Sequence, residues 1–418
     1  MKKKCAFTIV AKNYIGLGQI LGKSIQKYND DIDFFIVVSD EFSEPNPSLS
    51  ANVIIGKEVL GIKPQKWVDM SFKYDLTEFC TSIKPFGFRY FFDKGYDNVI
   101  YFDPDIFTFS SLDVIYRLLE NKSVLIVPHI ADIHVNYDGE LPEWDVMSNG
   151  IYNLGFCAMR NTKDARNIVD WWCVRLSDCC FADRVKGFFT DQKWMDWIPG
   201  LLGEQAVVSR NLGLNVAPWN FFERKIITKN GKYYVGHRIE DDPSLDELVF
   251  IHFAGYDYSA FKNGEIKRKR IEGLQEYEDL FDVQSDYRDA IVAERATFDS
   301  FIEQSYSYNT FDNGDEISFF HRRIYNGLIE DGESIQNPFS IGKNTYYDRL
   351  RKSGMIMKKS NIDNLNARNI SNMSRKRKLI SMLFKGLYFF GGYRRYSLLV
   401  RGLIYYHRPE THTFLIKK

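Results

Sequence analysis

Four short apolar runs constrain the fold more than any other feature of this chain. They are AFTIVA at 6–11, DFFIVVS at 33–39, NVIYF at 98–102 and VLIVP at 124–128. Each is rich in β-branched or aromatic residues and too short to be a core helix, so each reads as a buried strand. Stretches of helical period lie between them, at 15–28 and 74–92. Strands alternating with helices of this length predict an α/β domain with a mostly parallel sheet. In such sheets ligands bind beyond the carboxyl ends of the strands. Those ends carry Asn13 with Tyr14, Asp40, Asp103 with Asp105, and His129 with Asp132. Polar, ionisable side chains therefore collect where a site is expected.

Short apolar segments recur at 152–159, 207–216 and 248–253, the last containing His252. The pattern turns helical and charged from 266 to 301. It becomes polar from 305 to 354, with Asn313-Gly314 and Asp331-Gly332 turn signals, which reads as loops with a short helix. This predicts an α/β domain over 1–265, a helical and loop accessory region over 266–357, a linker over 358–374 and a basic tail over 375–418. No internal repeat is present.

The 418 residues carry 55 Lys and Arg against 55 Asp and Glu, so no global field argues for a nucleic-acid partner. The six cysteines lack the paired spacing of a metal site, and the apolar run near the N-terminus is too short for a secretory leader. Both point to a reducing, cytoplasmic setting. GxGxxxG at Gly16–Gly22 follows a strand but is one residue too long for a dinucleotide fingerprint. No phosphate-cradling GxxxxGK[ST] loop and no nucleophile elbow occur.

Asp103-Pro-Asp105 directly follows the strand at 98–102. Two carboxylates one residue apart either cap a turn or hold a divalent cation, since hard oxygen ligands suit such an ion. Buried and unpaired they would cost several kcal/mol. The later motifs come in order: Asn153-Leu-Gly155 at a strand entry, Asp191-Gln192 before an aromatic-rich helix, Trp219-Asn220, and His252-Phe-Ala-Gly255.

With the strand-DxD these five elements, all between 100 and 256, resemble the GT-A nucleotide-sugar glycosyltransferases, most of all the family 8-type enzymes and bacterial transferases of surface polysaccharides. The resemblance covers roughly residues 5–262. It implies that residues 1–265 are the catalytic domain with a GT-A fold, a Rossmann-like, mixed and mostly parallel sheet flanked by helices, followed by a helical or irregular C-terminal extension. It also implies transfer of a hexose or hexosamine from a nucleotide diphosphate donor, UDP-linked by the resemblance, to a saccharide or lipid-linked acceptor. Asp103, Asp105 and His252 would bind Mn²⁺ or Mg²⁺. Ala11, Asn13 and Tyr14 would hold the nucleoside, with Tyr14 stacking on the base, and Asp40 would meet the base or ribose. Asn153, Asp191 and Gln192 would line the donor sugar, and the Asp191-Gln192 pair favours retention of configuration. Lys84 would reach phosphate or sugar, Asp132 a sugar hydroxyl, and Gly255 of the histidine motif would lie against the nucleotide sugar. Trp219 and Trp194 are platform candidates for a sugar ring, or core. Family 8 relatives continue the histidine motif with Lys-Pro-Trp, whereas this chain reads HFAGYDYSAFK, so only Lys262 could supply that charge. A metal-dependent nucleotidyltransferase and a non-catalytic sugar- or nucleotide-binding module are the rival readings.

From residue 368 onward twelve basic residues face one acid, Glu410, a net +11 that the first 367 residues balance. Between the charges lie LISMLF, GLYFF, YSLLV and GLIYY, all too short to span a bilayer. Such a tail predicts peripheral attachment to the anionic inner face of the cell membrane.

Overall fold

The computed structural model describes residues 3–42, 50–238, 244–268, 277–356 and 373–417. Most of the expected linker at 358–374 lies outside the described residues. The chain divides into two compact units, one of residues 1–63 and 76–306, the other of 64–75 and 307–418.

The first unit is built on a seven-stranded sheet. Its strands are β1 (Lys4–Val10), β2 (Ile32–Val38), β3 (Val53–Ile55), β4 (Asn98–Phe102), β6 (Val124–Ile126), β7 (Phe156–Arg160) and the edge strand Ala206–Val208. The spatial order is edge strand, β6, β7, β4, β1, β2, β3. β1 sits centrally and pairs in parallel with β2 and β4, Ala6 lying opposite Phe34 and Ile100. Its run from Cys5 to Val10 is buried on both faces, which explains why it reads as continuous rather than alternating. The departure from parallel is β7, inserted antiparallel between β4 and β6. The expected α/β architecture, a mostly parallel sheet flanked by helices, is therefore the one observed.

The helix Ile15–Gln26 lies against β1 and β2. An added Cβ at Gly18 would lie 3.2 Å from Ile36 and 3.3 Å from Thr8, and one at Gly22 would lie 2.5 Å from Phe34. The glycine spacing that fails as a dinucleotide motif is thus a packing face. The helical period at 74–92 forms two helices, Leu76–Ser82 and Lys84–Asp93. Pro85 lies at the start of the second, where its missing N–H costs nothing, and it cannot continue the helix before it.

The sheet unit runs past the expected boundary at 265. Leu280, Val283, Tyr287, Ile291 and Phe298, from the helices Phe281–Ala293 and Arg295–Ile302 and the turn before them, share a core with Ile251 and Phe253. Apolar burial, not the rise in charge, decides which unit owns that segment.

The second unit contains helices Pro64–Lys73, Phe319–Glu330 and Tyr346–Lys352. Buried Arg322 donates to the carbonyls of Phe72 (2.8 Å), Tyr74 (2.9 Å) and Tyr308 (2.7 Å), tying the 64–75 segment into it. The unit ends in the helical segment Met373–Tyr406 and a short 3₁₀ stretch, Pro409–Leu415. Among the described residues no helix is long and apolar enough to cross a membrane.

Candidate functional site

β4 ends at Phe102, and the chain turns over Asp103-Pro104-Asp105 into β5 (Ile106–Thr108). The Ile106 amide closes this turn on the Asp103 carbonyl (3.1 Å), and the Asp103 amide donates to Gly155 O (2.7 Å). β5 leaves the main sheet and pairs antiparallel with the strand Phe250–His252, placing Ile106 opposite His252. The carboxylate pair thus caps a turn and also meets the histidine. His252 Nε2 lies 3.0 Å from Asp105 Oδ1 and 3.8 Å from Asp103 Oδ2.

The three side chains offer ligand atoms within 4.8 Å of one another. Asp103 and Asp105 are 30% and 22% exposed while His252 is 6% exposed, so the cluster opens on its carboxylate side. Two carboxylates and an imidazole suit Mn²⁺ or Mg²⁺, with positions left for a ligand's oxygens. Burial raises the Asp103 carboxyl above its usual range, although Lys84 and His252 oppose that shift. Burial would also raise Asp105, but the His252 charge and hydrogen bond hold it below the carboxylate range. Burial would lower His252, yet Asp105 wins and raises it.

Second contacts orient the imidazole. His252 Nδ1 lies 3.3 Å from Asn153 Oδ1, which also accepts from the amide of Gly155 (3.2 Å) and from Asn215 Nδ2 (3.1 Å). With Nδ1–H donated there, Nε2 faces the carboxylates, the orientation a ligating histidine needs. Gly155 leaves no room for anything larger. A Cβ would lie 2.7 Å from His252 Nδ1 and 2.9 Å from Asn153 Oδ1, and closer still to His252 Cε1. Trp219 packs edge-on between His252 (5.1 Å) and His129 (5.2 Å) and is buried.

Gln192 joins the same network. Its Oε1 accepts from the Leu154 amide (3.1 Å), and its Nε2 donates to Asn149 O (3.0 Å). Asp191 is buried and paired with Lys84, which also donates to Leu154 O (2.7 Å) and lies over the Tyr101 ring. Lys84 is buried with its charge spent on Asp191, which it compensates there, rather than held out toward phosphate or sugar. Thr190, just before, adopts a left-handed φ of 47°, a strained conformation for a β-branched residue.

The strand ends bring in the remaining residues. Ala11 is buried after β1 and its carbonyl accepts from the Tyr14 amide (2.9 Å). Asn13 Oδ1 is buried with no hydrogen-bond partner among the described residues. Tyr14 faces Tyr258 at 6.4 Å, and Tyr258 Oη reaches Asp105 Oδ2 (3.3 Å), which connects the β1 end to the carboxylates. Gly255, with φ of 78°, makes the turn that delivers Tyr258. Asp40 is fully buried, 3.7 Å from Lys12 Nζ.

Three candidates are engaged elsewhere. Asp132 pairs with His237 (2.7 Å) and Arg210 (3.0 Å), and Lys262 pairs with Asp299 (2.7 Å). Trp194 stacks on Phe188 and donates to Cys179 O (3.0 Å).

Sequence reasoning missed Tyr101, which donates to Asp103 Oδ1 (2.6 Å), and Tyr258. Tyr101 was recoverable, because residues two apart on an extended chain share a face. Tyr258 was not, since only the turn at Gly255 brings it back.

No protein-family model matches the chain. The uncharacterised protein YfnF of Bacillus subtilis (strain 168) is 23% identical over 253 residues, 60% of this chain and 80% of its own length. YfnD of the same organism, also uncharacterised, is 29% identical over 185 residues, 43% of this chain and 54% of its own. Among solved structures, the galactosyltransferase LgtC in complex with donor and acceptor sugar analogues is 16% identical. It covers 60% of this chain and 87% of that one, at a TM-score of 0.39. The bifunctional glycosyltransferase WbbM is 14% identical over 71% of this chain and 51% of its own, also at 0.39. The glycosyltransferase GlyE of Streptococcus pneumoniae TIGR4 is 12% identical over 74% of this chain and 67% of its own, at 0.35. At these identities and scores the likeness assigns no role to any residue.

Proposed function

We propose that this chain is a metal-dependent glycosyltransferase. It moves a hexose or hexosamine from a nucleotide diphosphate sugar, UDP-linked by preference, to a saccharide or lipid-linked acceptor of surface polysaccharide synthesis. The observation that carries the reading is the convergence of Asp103, Asp105 and His252 at the carboxyl end of β4. It is supported by an orphaned amide oxygen just past β1 and by a glutamine clamped at the entry to β7.

Each residue has a part in that chemistry. Asn13 Oδ1 accepts a base N–H, which removes the cost of its buried, unpartnered state. Tyr14 lies under the base, and Tyr258 ties that end to Asp105. Asp103, Asp105 and His252 would hold Mn²⁺ or Mg²⁺, which supplies Lewis-acid neutralisation of the departing diphosphate. Asn153 sets the His252 tautomer and, with Gln192, lines the anomeric face of the sugar. Gln192 is held at both ends of its amide, so it presents a fixed dipole rather than a mobile one. Lys84 holds Asp191 in place. Because Asp191 is engaged by Lys84, it is a poor general base. That favours a front-face, retaining route in which the leaving phosphate takes the acceptor's proton.

The test is donor hydrolysis across a panel of nucleotide sugars, read by mass spectrometry with and without EDTA. Turnover should require the metal, and Asp105→Asn, which keeps shape but removes charge, should lower it by orders of magnitude with the fold retained. Undiminished turnover in EDTA would overturn the reading.

A further inference from the structure

The helical segment Met373–Tyr406 is broken at Gly392, where φ is 68° and ψ is 170°. Tyr396 packs 6.1 Å from Phe384 and 5.7 Å from Tyr388. In one straight helix Phe384 and Tyr396 would stand about 18 Å apart, so the two arms fold back on each other as a hairpin. At its bend Phe389, Phe390 and Tyr393 are 80%, 86% and 73% exposed. The arms also expose large apolar side chains, among them Met382, Leu383, Leu398 and Ile404. Helices that lie on a core do not do this, and a surface of this kind marks a binding face.

Charge selects the occupant. Residues 375–408 contain nine Lys and Arg and no Asp or Glu. A second copy of the same hairpin would set cations against cations, which disfavours self-association. The arms are cut by Lys385, Arg394, Arg395 and Arg401, and no described helix is apolar enough to cross a membrane. An anionic bilayer offers an apolar layer for the aromatic bend and phosphates for the arginines next to it.

We propose that this hairpin is a monotopic membrane-docking element. Phe389, Phe390 and Tyr393 enter the acyl boundary of an anionic bilayer, while Arg394 and Arg395 bind lipid phosphates and the arms lie in the interface. The proposal stands independently of the sugar-transfer reading, because it rests on a different unit and is read without turnover.

Flotation of the full-length protein with phosphatidylcholine vesicles, with and without phosphatidylglycerol, tests it. Wild type should float with the anionic vesicles at low salt and lose most binding at about 0.5 M salt. The double variant F389S/F390S should lower the partition coefficient at least about tenfold at either lipid composition. R394Q/R395Q should lower it about fivefold per charge, on anionic vesicles alone. Matched circular dichroism and an unchanged thermal midpoint serve as fold controls. Wild type failing to float, F389S/F390S binding as well as wild type, or equal binding to neutral and anionic vesicles would each overturn the proposal. So would a concentration-dependent dimer, lost in F389S/F390S, without vesicle binding, since the occupant would then be a second copy.

Discussion

Gly155→Ala probes the site through geometry rather than charge. Comfortable carbon–heteroatom contact needs about 3.5 Å, and the new methyl would lie 2.7 Å from His252 Nδ1 and 2.9 Å from Asn153 Oδ1. The backbone of residue 155 cannot withdraw easily, because its carbonyl accepts from the Asp103 amide at 2.7 Å. The imidazole must therefore retreat by about 1 Å, since its Cε1 lies closer to the new methyl than Nδ1 does. Its own retreat is limited by the Trp219 edge, by Asp105 and by the His252 amide bond to Val216 O (2.8 Å). Overpacking of this kind costs about 1–3 kcal/mol of stability. A displacement near 1 Å costs on the order of a hundredfold in turnover. Calorimetric Mn²⁺ titration should show weaker binding, and thermal denaturation a midpoint several degrees lower. The double variant Gly155→Ala/His252→Ala removes the clashing ring, so the stability penalty of the alanine should largely vanish against the His252→Ala background. Wild-type Mn²⁺ affinity and an unchanged midpoint in the single variant would refute the argument.

Other perturbations read other parts of the network. Lys84→Met leaves Asp191 buried without its cation and should cost about 3–5 kcal/mol in urea unfolding. Adding Asp191→Asn should recover more than half, and a single-variant loss below about 1 kcal/mol would mean that water already serves Asp191. Gln192→Ala should lower kcat far more than it weakens nucleotide diphosphate binding by calorimetry; a parallel fall in both would move Gln192 away from the sugar. His129 is lowered to about 4, first by burial, and its Nδ1 lies 3.1 Å from Ile151 O. Its folded value lies below the unfolded value of about 6.5, so its stability contribution is complete above that pH and is lost as pH falls toward 4. That window is worth about 3 kcal/mol, so His129→Asn should flatten stability against pH between 6.5 and 4.5, and equal slopes in the two proteins would count against it.

The strands, the carboxylate turn and the polar strand ends were legible because they are local. A buried strand needs a run of β-branched and aromatic residues, and a turn before the next strand needs only neighbours in the chain. The sheet's mostly parallel character followed from the alternation of those runs with helical stretches. What the sequence could not carry is which distant residues share a point in space. Lys84 and Asp191 are 107 residues apart, and their burial as a pair depends on where two separate segments come together. The tautomer of His252 depends on Asn153, and Asn153 in turn on Gly155 and Asn215; the Asn-x-Gly and His-x-x-Gly motifs were visible, but not that they meet each other and Asn215. Asp132 and Lys262, attractive by position, are committed to Arg210, His237 and Asp299 by packing that no spacing encodes. The same holds for the C-terminal arms: composition announced an amphiphilic basic tail, but only the left-handed turn at Gly392 decided that it folds back with its aromatics at the bend. Local propensity is written residue by residue, whereas convergence is settled by how apolar faces close against one another, and in this chain the candidate chemistry lies on the second kind of information.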